Sequence, residues 1–144
     1  MPNNVLTHVD DIINKDYDII KALDNDYTIE TYTPELIIER GKIGFNIIPQ
    51  QTITREFSAA NSLPNLFIDI FMHYDMEADD NFKDAWKDMM TKANTVLQAL
   101  YDKQNFIDGV STVTVNIAFD NPIIEKERIV SLTFQCEYKI FATR

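Results

Sequence analysis

Cysteine and glycine are scarce in this 144-residue chain, which holds one cysteine and three glycines. The lone Cys136 can form neither an internal disulfide nor a multi-cysteine metal site, and its place in an alternating apolar run predicts a buried thiol. Three glycines leave no glycine-rich phosphate loop, and the sequence contains no CxxC, HExxH or nucleophile-elbow motif. We therefore expect no enzymatic activity, no cofactor and no metal site.

Long apolar runs and an excess of positive charge are also missing. No segment approaches the roughly 20 apolar residues of a membrane-spanning helix, and no secretory signal is recognisable at the start. The formal net charge is −10, and an acidic surface repels phosphate backbones. These features argue against a membrane protein and a tight nucleic-acid binder, and they favour a chain kept in the reducing cytoplasm.

The chain does have enough apolar material for one domain spanning residues 1–144. Apolar residues make up 45% of the chain and aromatic residues 11%, which excludes an intrinsically disordered protein. A chain of this length buries roughly 68–70% of its unfolded surface, so a core can form without disulfides.

Two segments, residues 5–24 and 79–103, are predicted to be amphipathic helices. In both, apolar residues recur at three- and four-residue spacing, which places them on one helix face. Asp79 is the predicted N-cap of the second helix, and Asp80 and Asp84 suit the positive end of its dipole.

Alternation of apolar and polar residues predicts strands in much of the remaining sequence. The predicted strands are 26–33, 45–48 and 65–74 before the second helix, and a hairpin of 110–119 and 128–141 after it. Residues 36–39 form a short β-branched run, Gly41–Gly44 is a predicted turn, and the segment 50–63 is ambiguous. The resulting order, α-β(3–4)-α-β-β, predicts an α+β fold in which two helices pack a mixed, mainly antiparallel sheet.

Titratable residues cluster between the strand 65–74 and the second helix. A metal site could be drawn from His73, Asp75, Glu77, Asp79 and Asp80. Helix capping and a solvated acidic turn explain the same residues, and the absence of a spacing motif favours that simpler interpretation.

Apolar side chains in the middle of the chain exceed what two helices and one sheet face can bury. They either pack on the second sheet face or form a subunit interface, since interface cores are enriched in aromatic residues. The stretch 50–58 also has the pattern of an edge strand that pairs across subunits. The candidate interface residues are Phe45, Ile53, Arg55, Phe57, Phe67 and Phe71.

The order of elements resembles that of the tail terminator (tail completion) proteins of long-tailed bacteriophages. Leu66–Tyr74 followed by an acidic turn, and the closing strand Leu132–Phe141, look like the central and last strands of that family. The resemblance implies a virion protein, assembled in the host cytoplasm, that caps the tail tube as a homo-oligomeric, usually hexameric ring and joins the tail to the head. Its implied partners are further copies of itself, the tail tube protein and the head connector protein, with DNA passing through the lumen without specific binding.

Two other functions stay open at this point. The chain could be another head–tail connector or a tail tube subunit, because these also assemble as rings. It could instead be a cytoplasmic small-molecule-binding domain or an enzyme. That function needs a pocket with converging polar groups, which we would expect near His73 and Tyr74.

Overall fold

The computed structural model describes residues 5–33, 35, 39–49, 65–103, 110–119 and 129–140. Within them the chain has the order α-β-β-β-α-β-β, which confirms the predicted α+β class. Residues 36–38 of the short β-branched run and the ambiguous segment 50–63 lie outside the described part of the chain. The elements are α1 (Val5–Leu23), β1 (Thr28–Thr31), β2 (Ile43–Pro49), β3 (Asn65–Asp75), α2 (Phe82–Lys103), β4 (Val110–Phe119) and β5 (Ile129–Ile140).

The five strands form one mixed sheet in the order β1-β2-β3-β5-β4. Strands β1 and β2 pair in parallel, and the other three pairs are antiparallel. Strand β3 is central, as its apolar residues on both faces predict. Among the described strands, β1 and β4 are the outer two, and β4 contains a register shift between Thr112 and Thr114.

Period-2 alternation along the strands directs one set of side chains into a core shared with both helices. On β3 the side chains of Ile68, Ile70 and Met72 are fully buried, while those of Phe67 and Phe71 point to the opposite face. We call this opposite face, on which neither α1 nor α2 packs, the helix-free face. The largest core side chains include Ile12, Ile13, Ile20, Phe45, Ile47, Leu66, Met76, Phe134 and Tyr138.

Helix α2 begins later than the sequence predicts, and Asp79 is not its N-cap. The helix starts at Phe82, and the Asp84 N–H donates to Asn81 Oδ1 at 2.9 Å. The Asn81 side chain donates back to Asp84 Oδ2 at 2.9 Å, so Asn81 is the cap. Asp80 instead accepts the Glu77 N–H at 2.8 Å and closes the preceding turn.

The described residues at the start of the connection between the parallel strands β1 and β2 lie against the helix-free face. Asn46 of β2 points to this face and donates hydrogen bonds to the carbonyls of Thr33 and Glu35, at 2.8 and 2.9 Å. At the far end of the connection, the Gly41 N–H donates to the Asp75 carbonyl at 2.7 Å. These bonds hold both ends of the connection against the sheet.

Candidate functional site

The helix-free face combines buried polar side chains with partly exposed aromatic ones. Asn46, His73 and Thr133 are between 2% and 5% exposed, although all three are polar. Phe71 lies between Asn46 and Thr133 on the neighbouring strands and is half-buried, as is Phe67. An aromatic residue that the fold leaves partly in water is a candidate contact for another protein.

The structure places two of the six predicted interface residues on this face. Phe67 and Phe71 lie there together, four residues apart on β3. Ile53, Arg55 and Phe57 lie outside the described residues.

The structure corrects the prediction that Phe45 belongs to an interface. Its side chain is 1% exposed and lies in the core. Its ring packs edge-to-face on Tyr27, with centroids 5.0 Å apart. Strand β2 begins at Ile43, so that Gly44 is a strand residue and not part of a turn. The alternation Ile43-Phe45-Ile47 then directs Phe45 toward the helices, and it cannot contact a partner from there.

His73 and Tyr74 do not converge on one pocket, contrary to the expectation for a small-molecule site. They are neighbours on β3 and therefore point to opposite faces of the sheet. Burial lowers the pKa of His73 to about 4, so its imidazole is neutral at physiological pH. Tyr74 faces α2, where its hydroxyl donates to Asp80 Oδ2 at 2.6 Å. This hydrogen bond is the main cause that raises the pKa of Tyr74 to about 12.

A cavity of about 290 Å³ lies beside Tyr74 at the N-terminus of α2. Four carboxylates contribute to its lining, and two of them already accept hydrogen bonds from neighbouring groups. Among the residues that the structure describes, no group of three or more His, Cys, Asp or Glu side chains could hold a metal ion. The lining residues are Tyr74, Asp79, Asp80, Asn81, Asp84, Ala85 and Asp88.

Among the residues that the structure describes, three large apolar side chains are exposed to solvent. Tyr32, which follows β1, is 50% exposed. Met90 and Tyr101 of α2 are 46% and 41% exposed. None of the three belongs to the predicted interface.

Met90 and Tyr101 belong to a stripe of α2 that carries no acidic residue. Its members recur at three- and four-residue spacing, so they share one side of the helix. All are exposed except Leu97, which is half-buried. We call this set the α2 stripe: Lys83, Lys87, Met90, Asn94, Leu97 and Tyr101.

The C-terminal end of the α2 stripe contacts the outer strand β4 through Tyr101. The Val115 N–H of β4 donates to the Tyr101 hydroxyl at 3.2 Å. An edge-strand N–H that is satisfied by a side chain is not open to another strand. A partner on this side of the molecule therefore meets side chains of α2 more readily than the backbone of β4 at Val115.

The opposite side of the molecule is formed by β1 and the adjacent surface of α1. Tyr32 has a φ of +66°, a left-handed backbone conformation that few residues other than glycine adopt. This conformation directs its hydroxyl to Asp10 of α1, to which it donates at 2.6 Å. The aromatic side chain of Tyr32 thereby reaches the surface of α1, and the residue is 50% exposed.

Acidic residues lie along this side, with Asp10 hydrogen-bonded to Tyr32 and with Asp24 and Asp26 at the other end of β1. Lys21 is the basic residue of the adjacent α1 surface, and its Nζ donates to the carbonyls of Asn25 and Tyr27, at 2.9 and 2.8 Å. The surface is therefore acidic and carries one exposed aromatic ring. We call this set the β1 edge: Asp10, Asp24, Asp26, Glu30 and Tyr32.

Comparison with known proteins assigns this chain to no family. No protein-family profile matches it, and no curated protein matches it. Neither described helix is both long enough and apolar enough to cross a membrane.

Proposed function

We propose that this chain is a structural virion protein, the subunit of a bacteriophage tail terminator ring that caps the tail tube and joins the tail to the head. The observation that carries the proposal is the arrangement of the sheet. Both helices pack on one face, and Phe67 and Phe71 stay half-buried on the other. A ring subunit needs surfaces that its own fold leaves open for the tube and for its neighbours.

The α+β order of elements supports the same proposal, because it is the feature on which the resemblance to tail terminators depends. The acidic composition is also compatible with a ring around DNA. A net charge of −10 repels the phosphate backbone, so DNA can pass through a lumen without binding. The partners in this proposal are further copies of the chain, the tail tube protein and the head connector protein.

The alternative is a connector or tube subunit, which also assembles as a ring. No observation favours it over a terminator. The small-molecule hypothesis has less support, because His73 and Tyr74 point to opposite faces.

The proposal is tested by adding the purified chain to cognate tail tube protein during polymerisation and imaging the tubes by electron microscopy. A terminator binds at one end of each tube and shortens the tubes as its concentration rises. Normal tube lengths with no density at either end would contradict the proposal.

Paired variants assign the contact to the helix-free face. Phe67→Asp/Phe71→Asp places two charges in the proposed contact and is expected to weaken capping at least about tenfold, as for the loss of aromatic interface anchors. Ala22→Asp adds a charge at an exposed position of α1 and is expected to cap tubes normally.

A further inference from the structure

We infer that neighbouring copies of this chain meet head to tail, with the α2 stripe of one copy lying against the β1 edge of the next. The inference deepens the proposed function and rests on it, because a closed ring of identical subunits needs two different surfaces that fit each other. The structure has two such surfaces, one beside each outer strand of the sheet.

The exposed apolar side chains are the first argument. Tyr32 is half exposed in the β1 edge, and Met90 and Tyr101 are nearly so in the α2 stripe. Aromatic and methionine side chains are enriched in the cores of protein interfaces. Each of the two surfaces therefore offers an apolar centre for the other.

Charge complementarity is the second argument, and it selects a second copy as the partner. The α2 stripe itself carries Lys83 and Lys87, although the whole chain has a net charge of −10. The exposed Asp84 and Asp88 lie on the adjoining side of the helix. The third lysine in the body of the helix, Lys92, pairs with Asp88 outside the stripe, at 2.8 Å. The β1 edge carries four carboxylates against the single positive charge of Lys21 beside it, so its charge is opposite to that of the stripe.

The same charges disfavour the symmetric alternatives. Two β1 edges in contact bring eight carboxylates together, and two α2 stripes bring four lysines together. Like charges across an interface are repulsive. Head-to-tail contact is therefore the arrangement that the charges of these two surfaces favour.

The backbone of β4 gives a third argument, about the kind of contact. The Tyr101 hydroxyl accepts the hydrogen bond of the Val115 N–H. A strand of another chain that pairs with β4 at Val115 therefore has to displace Tyr101. The contact inferred here uses side chains and leaves this hydrogen bond in place.

Sedimentation velocity of the full chain, over concentrations up to about 1 mM, tests the inference. We expect the wild-type chain to assemble, and Met90→Glu or Tyr32→Asn to raise the concentration needed for half-assembly at least about tenfold. Asn is chosen at position 32 because it tolerates a left-handed backbone. Thr95→Glu adds the same charge as Met90→Glu to an exposed part of α2 outside the stripe, and we expect it to assemble like the wild type.

A mixture of the two defective variants gives the decisive result. Met90→Glu keeps an intact β1 edge, and Tyr32→Asn keeps an intact α2 stripe. One copy of each variant can therefore join through these two intact surfaces, and through no others. We expect a one-to-one dimer and no larger species. Circular dichroism first shows that each chain is folded. The inference is then overturned if the mixture stays monomeric or if either variant assembles like the wild type. It is also overturned if the wild-type chain stays monomeric at every concentration.

The tube-capping assay separates this inference from the proposed function. Head-to-tail oligomers that leave tail tubes uncapped contradict the function and support the inference. Rings that still form and cap tubes with Met90→Glu in every subunit overturn the inference and leave the function standing.

Discussion

Tyr138 donates its hydroxyl hydrogen to the carboxylate of Asp16, at 3.0 and 3.2 Å from its two oxygens, and both residues are fully buried. This hydrogen bond joins α1 to the last strand across 122 positions of the sequence. Burial, followed by the negative potential of Asp16, raises the pKa of Tyr138 well above its ordinary value. The hydroxyl therefore stays protonated and keeps its role as donor.

We predict that Tyr138→Phe lowers the free energy of unfolding by about 1–3 kcal/mol, because it removes a donor from a buried carboxylate. Tyr32→Phe is the matched control, since it removes the same kind of hydrogen bond, to Asp10, at an exposed position. We expect that control to cost less than about 1 kcal/mol. Urea denaturation of both variants measures the difference, and equal losses would contradict the importance of burial.

Stability is predicted to fall in mild acid because of His73. Its pKa is lowered from 6.5 to about 4 by burial, so the folded chain holds a neutral imidazole while the unfolded chain takes up a proton below pH 6.5. The stabilising difference is present above pH 6.5 and is lost as the pH falls toward 4, by up to about 3 kcal/mol.

His73→Gln removes this titration. Denaturation curves of the wild type and the variant between pH 4 and pH 7 isolate the histidine, because every other titratable group is common to both chains. The gap between the two curves should narrow as the pH falls. A constant gap would show that His73 does not carry the effect.

Gly41 is predicted to resist substitution for two separable reasons. Its φ is +80°, and a Cβ at this position would meet the end of the flexible Glu77 side chain, which has to move away. Gly41→Ala should therefore lower the free energy of unfolding by about 1–3 kcal/mol. In a Glu77→Ala background the collision disappears and only the backbone cost remains, so the same substitution should be milder there. Thermal denaturation of the four chains tests this, and equal losses in both backgrounds would exclude the collision.

Tyr101 is predicted to protect the outer strand β4. Tyr101→Phe removes the hydroxyl that accepts the Val115 N–H, and an unpaired edge-strand amide is open to water and to other strands. Amide hydrogen exchange followed by NMR should show faster exchange at Val115 in the variant. Amides in the central strand β3 serve as the internal control, and unchanged exchange at Val115 would contradict the protective role.

The spacing of apolar residues in the sequence predicted most of the fold. It did so because α1, α2, β3 and β5 each bury one regularly spaced set of side chains. The prediction failed where local pattern does not determine the boundary. The sequence places Gly44 in a turn, whereas the structure places it in β2, where the strand alternation directs Phe45 into the core. Asp79 and Asn81 are comparable caps in sequence, and the turn closed by Asp80 determines which is used.

The candidate surfaces were predicted less well, for different physical reasons. The α2 stripe was readable in the sequence as an acid-free row at helical spacing, and that signal was missed. Asp16 likewise stands among the apolar positions of α1, a sign of a buried polar contact. The place of Tyr32 could not be predicted, because it depends on a left-handed backbone that tertiary contacts maintain.

Covalent crosslinking of neighbouring copies tests most directly the central claim, that this chain closes into a ring by head-to-tail contact. One cysteine replaces Met90 in the α2 stripe and another replaces Glu30 in the β1 edge, and a short bis-maleimide joins them. The native Cys136 is buried, which raises its pKa well above the ordinary value, so it should not react. Chains with only one of the new cysteines are the controls and should remain uncrosslinked.

The account predicts a ladder of covalent oligomers on a denaturing gel that ends at the ring size, six copies for a hexamer. A ladder that stops at the dimer would indicate a symmetric pair, and a chain that stays monomeric under the same treatment would contradict the ring itself.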